Sequence, residues 1–174
     1  NSCTHIFLQP DKRKYFDPKI YGIQYTESPI ASSDGTKLVY WRFPAQKISF
    51  DENKKSPVIE PKALLLHFHG NAQNISSHFR SMMWPLGEGI EVVTFDYRSY
   101  GLSEGEKDID GVYSDALFML KWAEMDAKKR GLPLIVYGQS LGGSLLLKAL
   151  QDHKPKNLKL VIVESSFYSY QQIA

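Results

Sequence analysis

Four segments of this chain, Ala63–Phe68, Glu91–Phe95, Leu134–Tyr137 and Leu158–Val163, are short runs dominated by apolar residues with no regular polar face. A strand without a polar side must be covered on both faces, so these runs predict inner strands of a parallel sheet with helices packed against both sides. Helical spacing lies between them. Ile109, Val112, Tyr113, Ala116, Leu120, Ala123 and Ala127 recur every three or four residues and predict a helix over Ile109–Arg130. Asp108 and Asp110 suit its positive end, Lys128, Lys129 and Arg130 its negative end, and Gly131 and Pro133 stop it. The leucine-rich stretch Ser140–Asp152 predicts a second helix and Ser76–Trp84 another. Upstream, the alternation in Lys37–Phe43 predicts a strand near the sheet edge, entered through a tight Asp34-Gly35 turn. Ile20–Tyr25 reads as a further short strand, and Asp51–Pro61 as an exposed loop. The order is β-β followed by β-α-β-α-β-α-β, a single α/β domain over residues 1–174 without repeats or an internal boundary.

Composition narrows the function classes. With 43% apolar residues among 174, the chain can build a packed core. A net charge of +2 is too near balance for nucleic-acid binding to be its main role. No apolar run approaches the roughly 18 residues that a membrane-spanning helix needs. The single cysteine, Cys3, rules out an internal disulfide and a Cys-based zinc site within the chain. Cys3 stands where a bacterial lipoprotein carries its lipidated cysteine, which would anchor the protein at the cell envelope. The plainer reading is a thiol in a frayed terminus.

The chemistry concentrates where the strand Leu134–Tyr137 runs into Gly138-Gln139-Ser140-Leu141-Gly142-Gly143 and a helix follows at once. A G-x-S-x-G sequence in a strand–turn–helix context places the serine on a sharp, strained bend with its hydroxyl projecting from the carboxyl end of the sheet. Glycine two residues either side avoids collision with the adjoining strand and helix, and Gly143 would let the helix lie close to the sheet. The alternative is an ordinary glycine-rich β-α turn. An acyl-transfer serine also needs two donors for the oxyanion. The Leu141 N–H supplies one candidate, and the Asn71 N–H, in His67-Phe68-His69-Gly70-Asn71-Ala72, the other. His67 and His69 share a strand face and raise a zinc alternative, but Gly-Asn-Ala-Gln follows in place of further ligands, so a buried His69 bonding the loop backbone is preferred. Asn74-Ile75-Ser76 matches a glycosylation sequon and is taken as chance, because it adjoins this loop.

A third motif, Asp96-Tyr97-Arg98-Ser99-Tyr100-Gly101-Leu102-Ser103, completes a pattern. With His-Gly-Asn-Ala before it and Gly-x-Ser-x-Gly-Gly after it, the chain resembles the α/β-hydrolase superfamily over about Lys37 to Phe167, specifically Bem46-like, ABHD-type serine hydrolases. The resemblance implies a mostly parallel sheet with helices on both faces and hydrolysis of a carboxylic ester, thioester or peptide-like acyl bond. Ser140 would be the nucleophile, a small acyl compound the substrate, and no metal or organic cofactor is implied. It also implies a structural role for Asp96 and Arg98, which tie their loop down beside the site. Ser99 departs from the family's usual glycine and should alter loop shape only.

The rest of the triad is not in view. The superfamily order is Ser, then Asp or Glu, then His. The one later histidine, His153, ends the helix that Ser140 starts, roughly 20 Å away at 1.5 Å per residue. Glu164 is a candidate acid, with loop anchoring as its alternative. The expectation is therefore a hydrolase fold truncated after the sixth strand, with the last strand presenting an open apolar edge suited to pairing with another chain. Phe167–Tyr170 would open a substrate-selecting cap, and residues 1–174 alone would not react with a fluorophosphonate. The competing reading is a non-catalytic hydrolase-fold module with an incomplete triad.

Overall fold

The structure is a computed structural model and describes residues 8–49, 51 and 53–166. Six strands form its central sheet: β1 (Thr26–Ala31), β2 (Lys37–Phe43), β3 (Ala63–Phe68), β4 (Ile90–Asp96), β5 (Leu134–Gln139) and β6 (Leu158–Glu164). They lie in the order β1-β2-β4-β3-β5-β6. The β1–β2 and β2–β4 pairs are antiparallel, and all others are parallel. Every residue of β3 is buried, as a continuously apolar run demands.

Helices α2 (Ile109–Lys129) and α3 (Leu141–Asp152) lie on one face of the sheet. Val112, Ala116, Leu120, Ala123 and Ala127 pack there against Leu64, Leu66, Val93 and Phe95. Asp108 caps α2 by accepting from the Gly111 N–H at 2.7 Å. The opposite face is covered by the short helix α1 (Ile75–His78), a 3₁₀ turn at Phe79–Met82 and the residues around Ile23.

Two expectations need correction. Ile20–Tyr25 is not a strand. Asp17 accepts from the Lys19 N–H, Pro18 presets the first helical position, and Gly22 at φ 68° closes a 3₁₀ turn over Pro18–Tyr21. The strand starts later, at Thr26, and contains Pro29, which an edge strand tolerates because its outward backbone needs no partner. That places Lys37–Phe43 one position in from the edge. The stretch Ser76–Trp84 is likewise not one helix but α1 followed by 3₁₀ turns.

At the other edge, among the described residues, β6 pairs with β5 only. Leu160, Val161 and Val163 are 49%, 39% and 39% exposed, so this apolar run is not covered on both faces. The proposed cap residues Phe167–Tyr170 and the proposed anchor Cys3 lie outside the described residues.

Candidate active site

Register decides what meets at the carboxyl end of the sheet. Phe68 pairs with Gly138 and Gln139 with Glu164, so the loops leaving β3, β5 and β6 emerge side by side. Between β5 and α3 the chain turns through one residue, Ser140, at φ 52° and ψ −118°. Side chains rarely adopt this left-handed conformation, which costs of order 1–3 kcal/mol unless the surroundings hold it. Glycines make that turn possible. A Cβ on Gly142 would lie 2.0 Å from the Phe68 carbonyl oxygen and 2.5 Å from that of His69. One on Gly138 would lie 2.6 Å from the Gly143 Cα. The Ser140 N–H is fixed to the Glu164 carbonyl at 2.9 Å.

The His69-Gly70-Asn71 loop sits against this bend: a Cβ on Gly70 would be 3.8 Å from the Ser140 Cβ. Leu141 begins α3, so its N–H has no acceptor one helical turn back. Tertiary structure thus brings Ser140, Leu141 and the Asn71 loop together.

The histidines are occupied in other ways. His67 is fully buried, bonds Thr94 Oγ1 through Nδ1 at 3.0 Å, and is kept neutral first by burial and then by its histidine neighbours. His69 Nδ1 lies 2.7 Å from the Gly70 carbonyl, the backbone bond expected of it, and its ring stacks on His78 with centroids 5.1 Å apart. His78 donates from Nε2 to the Ala72 carbonyl at 2.7 Å. Burial, then the nearby His69 ring, push its pKa down to about 4, against bonds to Ala72 and Gln139 that favour the charged form. At the far end of α3, His153 meets Glu124 at 2.6 Å. Among the described residues no three His, Cys, Asp or Glu side chains converge as a metal site.

The Asp96–Ser103 loop is held from beneath. Asp96 is buried, accepts from the Ile75 N–H at 2.9 Å, and lies 3.3 Å from His69 Nε2. Burial raises its pKa, and the His69 and Ile75 contacts pull the other way. Arg98 binds the fully buried Asp115 through Nε and Nη2, at 2.9 and 2.8 Å, and reaches Asp34 at 2.8 Å. Gly111 gives it room, since a Cβ there would lie 2.5 Å from Nη1. Asp115 was not anticipated, yet a lone acid between Val112 and Ala116 on the buried face of α2 is a legible signal. Asn74 is 2% exposed and donates from Nδ2 to two carbonyls, which leaves the sequon unsuited to a glycan. Glu164 accepts from the Tyr137 hydroxyl, whose pKa is pushed up to about 12 by burial and then by that carboxylate.

This strand order, with a glycine-flanked serine bend after the fifth strand, defines an α/β-hydrolase fold. An esterase from Pyrococcus furiosus matches it with a TM-score of 0.70 at 20% identity, over 92% of this chain and 57% of that one. The sequence profile of the serine aminopeptidase S33 family (Hydrolase_4) matches residues 59–173, and the chain belongs to that family. Among curated relatives, the uncharacterized protein YfhR of Escherichia coli K12 is 29% identical over 99% of this chain and 57% of its own length. The lysophosphatidylserine lipase ABHD12 of Danio rerio is 38% identical over 64% of this chain and 30% of its own. The chain thus spans 57% of the length of the YfhR relative.

Proposed function

We propose that this chain carries the nucleophile and oxyanion half of a serine hydrolase that cleaves a small acyl compound, a carboxylic ester first and a thioester or peptide-like bond as variants. The observation that supports it most is the Ser140 backbone, held at φ 52° and ψ −118° between glycines that admit no side chain. Ser140 Oγ adds to the acyl carbonyl carbon while its proton passes to a base. The carbonyl oxygen becomes an oxyanion, received by the N–H groups of Leu141 and Asn71 and favoured by the positive end of α3. Collapse expels the alcohol, thiol or amine, which takes the proton and leaves an acyl-enzyme. Water then repeats the addition and releases the carboxylic acid. Nothing in this sequence of steps requires a metal or organic cofactor.

The base comes from outside the described residues. His67 and His69 are buried, His78 is bonded to Ala72, and His153 is paired with Glu124. The similarity to ABHD12, a lysophosphatidylserine lipase, favours the ester among the three bond types.

A fluorophosphonate probe tests the reading. The protein that carries this chain should be labelled on Ser140, and Ser140→Ala should abolish labelling, whereas a polypeptide of residues 1–174 alone should stay unlabelled. Labelling that survives Ser140→Ala refutes the nucleophile. No labelling of the wild-type protein favours the non-catalytic module, and labelling of residues 1–174 alone places the base within them.

A further inference from the structure

Residues 9–15 lie across the Gly70–Ser76 loop, which sits against the Ser140 bend, and the Tyr97–Gly101 turn, with hydrogen bonds to both. Gln9 and Pro10 pair in parallel with Ala72 and Gln73. The Gln9 N–H donates to Asn71 Oδ1 at 3.0 Å, and the same oxygen accepts from the Tyr100 hydroxyl at 2.9 Å. Asn74 Nδ2 donates to the Asp11 and Arg13 carbonyls at 2.8 Å each. The Asp11 carbonyl also takes the Gly101 N–H at 2.9 Å. Next along, the Tyr15 N–H donates to Ser76 Oγ at 2.9 Å. Leu8, 1% exposed, roots the segment in the core.

The Asn71 carboxamide is thus the pin where this segment, the Gly70–Ser76 loop and the Tyr97–Gly101 turn meet. The same loop contains Gln73 at φ 66°, a conformation that side chains rarely adopt and that persists only where the surroundings over-determine it. An oxyanion donor acts by being aimed before the charge forms, and a small misplacement of a preorganised group costs rate steeply.

We infer that Gln9–Tyr15 form a positioning strap, pinned through the Asn71 side chain, that aims the Asn71 N–H at the developing oxyanion. This rests on the serine-hydrolase reading. The strap touches no reacting atom. It acts on the rate of the chemical step and not on substrate capture.

The test uses the full protein that carries this chain, with p-nitrophenyl butyrate as substrate and an alkyl trifluoromethyl ketone as inhibitor. The ketone adds to the serine and places an oxyanion in the same site. Gln9→Pro removes one hydrogen bond to the pin, Tyr100→Phe a second, and Asn71→Ala removes the pin while keeping its N–H. Each should lower kcat by about 10-fold, a fraction of the 10²–10³ lost with a whole oxyanion donor. KM should stay within about twofold, and the ketone should bind more weakly by the same factor as kcat falls. Variants that keep wild-type kcat overturn the strap and leave the hydrolase reading standing. So does a loss that only follows the folded fraction measured by circular dichroism. A wild-type protein without Ser140-dependent turnover overturns both.

Discussion

Ser99 and Ser140 both hold left-handed backbones, at φ 70° and 52°, but in different surroundings. Ser140 is braced by glycines and by its bond to Glu164, and its Cβ faces Gly70 of the β3 loop. Ser99 has a buried hydroxyl with no hydrogen-bond partner among the described residues. A buried unpaired hydroxyl and an unfavourable φ both cost free energy, so Ser99→Gly should stabilise the fold by about 1 kcal/mol, read as a shift in the urea midpoint. No shift, or a loss, would mean that the turn is relaxed with serine in place. That the usual glycine is missing was visible in the sequence, and the strain it leaves follows from the positive φ alone.

At the scale of elements, α1 is short and seated by its contacts. Asn74 caps it by accepting from the Ser76 N–H at 2.9 Å, and His78 closes it by donating to Ala72. The histidine pKa of about 4 in the fold, against 6.5 in an unfolded chain, fixes the sign of a pH effect. Between these values the unfolded chain binds the extra proton, so this contribution is whole above pH 6.5 and is lost as pH falls towards 4. The thermal midpoint should climb across that window and level off above it. His78→Gln, which keeps a donor for the Ala72 carbonyl, should make the climb shallower and leave the part that the buried, neutral His67 contributes. An unchanged slope in that variant would show that other groups govern it. The limits of α1 were the least legible in the sequence, because its apolar residues Ile75, Phe79 and Met82 follow helical spacing although the backbone tightens to 3₁₀ after His78.

Over the whole molecule, the sheet is finished on one side and open on the other. Pro29 and the exposed residues Thr26 and Glu27 guard the β1 edge, whereas β6 offers Leu160, Val161 and Val163 to solvent beside a backbone edge that pairs with no further strand among the described residues. A polypeptide of residues 1–174 should therefore self-associate in a concentration-dependent way on size exclusion, and Val161→Lys with Val163→Lys should restore the monomer. Monomeric behaviour without these changes would show that the edge is protected. The amino-acid order by itself determined the inner strands, the two long helices and the glycine-flanked serine, since each depends on periodicity or on local steric need. It did not disclose the 3₁₀ turn at Pro18–Tyr21, the Asp115 seat of Arg98 or the strap on Asn71. The turn is local but lacks an apolar period to announce it, whereas the other two join residues far apart in the chain, as Arg98 and Asp34 or Gln9 and Asn71 are, and only the folded sheet decides which of the many polar partners a buried group can reach.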